Sequence, residues 1–119
     1  MDFMPPCRPS PKIFLTKELS NYLRELSSSS PDSPEKKMVD EMISVLKENT
    51  LAGEAIRKNQ IPKHYIAKYG VNNLFRYHHP GGYRSCYTLV ECNKNGVCPL
   101  ILDFMSHREY DQRFGYNTT

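Results

Sequence analysis

At 119 residues the chain has room for one domain with one modest core. Hydrophobic residues at 39% and charged residues at 24% exclude wholesale disorder. No apolar run approaches the roughly 18 residues of a membrane-spanning helix, so no membrane association is expected. The segment Met1-Asp2-Phe3-Met4-Pro5-Pro6-Cys7 has no charged start leading into an apolar stretch, so no secretory signal is expected and the chain reads as cytoplasmic.

Residues 1–11 carry Pro5, Pro6, Pro9 and Pro11 and read as a flexible leader. Lys12 to Thr16 is a short apolar run with strand character. Thr16 then caps a helix whose apolar positions Leu19, Tyr22, Leu23 and Leu26 follow helical spacing, and Ser27 to Ser30 with Pro31 break it. Ser33-Pro34-Glu35 is a helix start, with a cap, a first-turn proline and an acid at the positive end of the dipole. Met38, Met42, Val45 and Leu46 give that second helix one apolar stripe to about Asn49. The pair reads as an antiparallel helical hairpin.

Gly53, Pro62 and Gly70 punctuate residues 51–72 into short turns with helical character. Asn73 to His79 alternates as a strand, Pro80-Gly81-Gly82 is a turn, and Tyr83 to Cys92 is the next strand. Asn93-Lys94-Asn95-Gly96 turns the chain into a third strand, Val97 to Met105. Ser106 and Glu109 have capping-box spacing for a last short helix that ends at Phe114-Gly115.

The net charge of +3 singles out no partner, but its distribution is uneven. Residues 1–50 hold seven basic and eight acidic side chains. Residues 51–90 hold Arg57, Lys58, Lys63, Lys68, Arg76 and Arg84 against Glu54 alone, a local +5. Tyr65, Tyr69, Phe75, Tyr77, Tyr83 and Tyr87 are interleaved. That mixture suits a polyanion such as RNA, or else a solvated basic face over a sheet whose aromatics are core. Cys7, Cys86, Cys92 and Cys98 form no CxxC pair, so neither a metal nor a cofactor is expected. Even spacing puts Cys86 and Cys92 on one side of a strand as small buried hydrophobes, and no disulfide is expected. His78-His79 beside Pro80 reads as an exposed hairpin end.

Three runs of residues carry a resemblance: Asn73-Leu74-Phe75-Arg76-Tyr77, Gly82-Tyr83-Arg84, and His107-Arg108-Glu109-Tyr110-Asp111-Gln112-Arg113-Phe114-Gly115-Tyr116. In this order and spacing they resemble the RelE/ParE toxin superfamily, in particular its archaeal RelE-like members, over a single domain of residues 12–116 with a tail at 117–119. The resemblance implies an α+β fold, a twisted antiparallel sheet with an N-terminal helical hairpin packed on one face. It also implies the toxin of a type II toxin–antitoxin system, neutralised by an antitoxin protein from a neighbouring gene. RelE-type members cleave mRNA on the ribosome by 2′-hydroxyl attack without a metal; ParE-type members share the fold and inhibit gyrase. The alternative is therefore a non-catalytic binding protein, a gyrase inhibitor or a degenerate toxin, because fold alone does not settle chemistry.

Such cleavage needs a base, a cation for the phosphorane and an acid for the 5′-oxygen. The resemblance places Arg84 where similar toxins hold phosphate, a role suited to a permanently charged, bidentate guanidinium. It places His107 where related toxins carry a catalytic histidine, an acid–base group at neutral pH. Tyr110, one turn further on, is a candidate to orient the substrate or stack on a base. Arg84, His107 and Tyr110 are thus the expected catalytic set, with Lys58, Lys63, Arg76 and Arg108 expected to bind RNA phosphates. The tightly spaced lysine pair of RelE is absent, so the base stays open, with Glu54 as a candidate.

Overall fold

The computed structural model describes residues 9–10, 12–93 and 96–115. Most of the leader, Cys7, Lys94 and Asn95 of the turn, Tyr116 and the tail lie outside the described residues. The elements run β1 (Phe14–Leu15), α1 (Lys17–Ser29), α2 (Pro34–Glu48), β2 (Glu54–Ala55), α3 (Lys63–Tyr69), β3 (Phe75–His78), β4 (Arg84–Asn93), β5 (Gly96–Ile101) and α4 (His107–Phe114), with 3-10 turns at Lys58–Gln60 and Pro80–Gly82. This is an α+β chain with one five-stranded sheet in the order β1-β5-β4-β3-β2.

The sheet is mixed, not antiparallel throughout. β2 to β5 pair antiparallel, but β1 runs parallel to β5, with Phe14 opposite Leu100 and Leu15 opposite Ile101. The expected hairpin of helices is present, yet a strand precedes it. The hairpin carries the chain from β1 over the sheet to the far edge, where the meander β2-β3-β4-β5 returns to β1, and a crossover of that kind makes the closing pair parallel.

The helices begin where the caps predict. Thr16 Oγ1 accepts from Leu19 N–H at 3.2 Å and Ser33 Oγ from Lys36 N–H at 3.2 Å. The serines do not break α1 until its last turn: Ser28 and Ser29 hydroxyls donate back to the Arg24 and Glu25 carbonyls, so the helix runs on through Ser29. In the region that sequence left least defined, Gly70 ends α3 with φ 64°.

The sheet is covered on both faces. Leu19, Met42 and Leu46 of α1 and α2 pack on Tyr87 and Ile101, with Phe75, Tyr77 and Leu89 around them. On the other face Tyr65 of α3 and Tyr110 of α4 pack on Leu74, Cys86 and Leu102. Each fully buried Leu or Met contributes about 1.5–3 kcal/mol. Tyr65 and Tyr87 are wholly buried and Phe75 stacks on Tyr87, so these interleaved aromatics belong to the core and not to a nucleic-acid surface.

β5 is shorter than its apolar run. The pairing Tyr87 with Ile101 becomes Arg84 with Met105, which leaves one extra residue on the β5 side. Asp103 absorbs it: its Oδ1 accepts the Cys86 N–H at 2.9 Å, while Oδ2 accepts the Tyr65 hydroxyl at 2.6 Å. Burial raises the Asp103 pKa against the pull of those donors. A second irregularity lies between Glu91 and Asn93, with Cys92 as the extra residue. There Cys92 and Cys98 are joined in a disulfide, whereas Cys86 is the free, buried thiol the sequence suggests. The expectation of no disulfide is corrected by that bulge, since even spacing along an unbroken strand does not bring Cys92 to Cys98.

His79 also departs from expectation. His78 is exposed, but His79 is buried, its Nε2 2.8 Å from Ser85 Oγ and its ring against Phe104. Burial, with Arg84 nearby, lowers its pKa to about 4. The folded chain therefore refuses a proton that the unfolded chain accepts at about 6.5. Stability is full above pH 6.5 and falls as pH drops towards 4, by at most about 3 kcal/mol. In denaturant titrations at pH 7 and pH 4.5, His79→Gln, which can still bond Ser85, should lose about 2 kcal/mol less on acidification than the parent. Equal losses would contradict this account of His79.

Candidate active site

Strand alternation sorts the candidate residues before any side-chain contact does. The register sets Arg76 opposite Cys86 and His78 opposite Arg84. Cys86 lies in the core beneath α3 and α4, so Arg76, His78 and Arg84 share that face. Glu54 of β2 is paired in register with Arg76 and joins them. β2 can lie this close because residue 53 is glycine: a Cβ there would sit 2.7 Å from the Tyr87 ring. Gly53 N–H instead donates to the Tyr87 hydroxyl at 2.9 Å, and burial pushes that phenol up to about 12.

Glu54, Arg76 and Tyr110 form a chain. Arg76 Nε donates to Glu54 Oε1, and Arg76 Nη1 donates to the Tyr110 hydroxyl at 2.7 Å. Arg84 lies 5.9 Å from the Tyr110 ring centre, within cation–π range. Tyr110 is buried, with Phe114 stacked on it at 4.4 Å. Its ring therefore positions the two arginines, and the expected stacking on a nucleobase has no exposed face to use.

Arg84 is half-buried, and among the described residues its Nη1 donates only to the neighbouring Tyr83 carbonyl at 3.0 Å. Among the described residues no carboxylate lies within ion-pair distance of it. Asp103 is engaged by Tyr65, Cys86 and Arg113, and Glu109 by the capping box of α4. The charge of Arg84 is left available to an anion.

His107 is the first residue of α4, one past the Ser106 cap. Its ring lies over Gly82, whose absent Cβ would come within 3.2 Å of the His107 Cβ. Its Nε2 is 3.0 Å from Asp111 Oδ2, a carboxylate only 10% exposed, which leaves Nδ1 as the nitrogen with no hydrogen bond among the described residues. Asp111 was not singled out in the sequence, although His107 and Asp111 stand at the i, i+4 spacing of one helix face. His78 stands at the hairpin end, as its place beside Pro80 predicts. Register alone reveals that it faces Arg84, and partial desolvation, followed by the charges of Arg84 and Arg76, lowers its pKa.

The remaining candidates are not brought into this cluster. Lys58 sits on the 3-10 turn after β2, Lys63 starts α3, and Arg108 is exposed on α4. None of the three makes an ion pair among the described residues. Lys68 is spent on Glu18 and Arg76 on Glu54, which reduces the basic excess to Arg57, Lys58, Lys63 and Arg84. A groove of about 540 Å³ lined by Gly53, Glu54, Arg76 and His78 runs along the β2 edge into the cluster. A separate cleft of about 240 Å³, between α1 and α3, is lined by none of the candidate residues. Among the described residues no three His, Cys, Asp or Glu side chains gather as a metal would require, and no helix is long and apolar enough to cross a membrane. Comparison with family models, curated proteins and solved structures returns no match for this chain.

The seat of His107 can be tested with two glycines. Gly81 and Gly82 both have positive φ, 72° and 82°, but a Cβ on Gly81 meets nothing closer than 3.8 Å. Alanine at either position should destabilise the chain by about 1–2 kcal/mol through the backbone alone. Only Gly82→Ala should also displace the His107 ring, read as shifted imidazole resonances in NMR spectra. Unmoved His107 resonances in Gly82→Ala would show that the ring does not rest there.

Proposed function

We propose that this chain is a RelE-like toxin, a metal-independent endoribonuclease that cleaves mRNA on the ribosome and is restrained by an antitoxin protein. The observation that carries the reading is Arg84, a half-buried guanidinium with no carboxylate partner among the described residues, two residues from Gly82 and the His107 ring above it. A preorganised cation beside an acid–base imidazole is what phosphodiester transfer to a 2′-hydroxyl requires. Further support comes from the element order, a strand and two helices followed by an antiparallel meander and a C-terminal helix.

A cytoplasmic site of action belongs to this reading. The Cys92–Cys98 bridge lies eight residues along β4 from Arg84, about 26 Å away at an ordinary strand rise, so its reduction leaves the cluster in place. One observation favours the rival, a non-catalytic protein of the same fold: Tyr110 is buried and Arg76 is already paired with Glu54, which reduces the groups able to grip RNA.

Single-turnover cleavage of mRNA on programmed ribosomes separates the two. Arg84→Ala should keep its thermal midpoint and lose at least about tenfold in rate, within the few kcal/mol that one preorganised cation contributes to a transition state. Ribosome binding without cleavage by the parent protein would favour the non-catalytic reading. Equal rates for parent and variant would remove Arg84 from the chemistry.

A further inference from the structure

The chain has four histidines, and the fold treats them differently. His79 is buried on the face of α1 and α2 and bonded to Ser85. His64 lies on α3 in the cleft with Lys68 and Arg113. The other two, His78 and His107, have side chains 55% and 64% exposed, and both belong to the strand end that carries Arg84.

They flank that arginine. His79 N–H donates to the Tyr83 carbonyl at 2.9 Å, which makes 79 and 83 the hydrogen-bonded pair. His78 and Arg84 are then the non-hydrogen-bonded pair, the kind whose side chains approach most closely, with Cα atoms about 4.5 Å apart. On the other flank of β4, Arg84 exchanges backbone hydrogen bonds with Met105 at 2.8 and 2.7 Å, and His107 follows two residues later over Gly82. One imidazole thus stands on the β3 side of the guanidinium and one on the α4 side.

We infer that His78 is the general base and His107 the general acid of an RNA transesterification centred on a phosphate held by Arg84. This rests on the endoribonuclease reading of the same site. The bond from the 2′-oxygen to phosphorus forms as the bond from phosphorus to the 5′-oxygen breaks. The 2′-hydroxyl proton passes to the His78 imidazole, and the proton on His107 Nδ1 passes to the departing 5′-oxygen. The products are a 2′,3′-cyclic phosphate and a 5′-hydroxyl. The two rings have exchanged protonation states, which water resets.

The surroundings assign the roles. His78 is faced by Arg84, Arg76 and Glu54, with its Nε2 4.0 Å from Glu54 Oε1. Partial desolvation first, then the charges of Arg84 and Arg76, disfavour a second proton on this ring, and a base needs that proton absent. Glu54 is the weaker candidate for base because Arg76 engages its carboxylate. His107 has the opposite setting: its Nε2 lies 3.0 Å from the Asp111 carboxylate, an anion and not a cation. Asp111 is a positioning residue.

The test uses the full chain, programmed ribosomes and two messages that differ only at the linkage the parent protein cuts. One carries the ordinary 5′-oxygen and the other a bridging 5′-sulfur, which departs as thiolate and needs no proton. His107→Gln should lose about a hundredfold or more on the oxygen message and recover to near the parent rate on the sulfur message. His78→Gln should lose about a hundredfold on both, and its rate profile should lack the acid limb that the parent shows. Both side chains are exposed, so unchanged thermal midpoints are expected and are measured on the same samples. Parent rates for His78→Gln, or its rescue by sulfur, would overturn the inference while the parent's cleavage leaves the enzyme reading standing. No cleavage by the parent protein would overturn both.

Discussion

The reciprocal backbone hydrogen bonds between Arg84 and Met105 hold the site together. β5 ends at Ile101, and those bonds return the chain to the start of β4. With them, the segment after Met105 enters α4 directly above Gly82, and His107 and Tyr110 arrive on the face that already carries Arg76, His78 and Arg84. The bridge depends in turn on Asp103. The extra residue would leave the Cys86 N–H without a ladder partner in a buried strand, a loss on the order of 1–3 kcal/mol. The Asp103 carboxylate replaces that partner, and its other oxygen ties down Tyr65 of α3 and Arg113 of α4.

Charge compensation then decides which cation is available for function. A basic excess in sequence is a poor guide to this, because long side chains find carboxylates across the fold. Lys68 reaches Glu18, which is remote in sequence, and Arg76 reaches Glu54 on the neighbouring strand. Two carboxylates of the segment between β5 and α4 are committed elsewhere, Asp103 to the bulge and Glu109 to the helix cap. Among the described residues Arg84 has no carboxylate partner, and structural hydrogen bonds hold Asp103 and Glu109 away from it.

Much of this was legible in the sequence. Local chemistry fixes most of the elements: the Thr16 and Ser33 caps, the Ser106–Glu109 capping box and the glycine ending α4 all stand as spacing predicts. Arg84 lies 5.9 Å from the Tyr110 ring centre, and His107 lies over Gly82, two residues before Arg84. What escaped depends on pairing between distant residues. β2 is two residues long and carries no period of its own, yet it brings Glu54 to Arg76. The two irregularities in the sheet, at Asp103 and at Cys92, shift register by one residue, and single-strand alternation cannot see such a shift. His78 and His79 look alike in sequence, and strand alternation sends one to the cluster and the other into the core. Tyr110, read as a base-stacking group, is buried because α4 lies flat on the sheet and turns that ring inward.

The central claim, that this cluster transfers a phosphodiester to a neighbouring 2′-hydroxyl, is tested most directly by the chemistry of the cut ends. Ribosome-bound mRNA treated with the protein in the presence of a metal chelator should yield a 2′,3′-cyclic phosphate and a 5′-hydroxyl. A single 2′-deoxy nucleotide 5′ of the scissile phosphate should block the cut. Fragments with a 5′-phosphate and a 3′-hydroxyl, or undiminished cleavage of the 2′-deoxy message, would contradict the account.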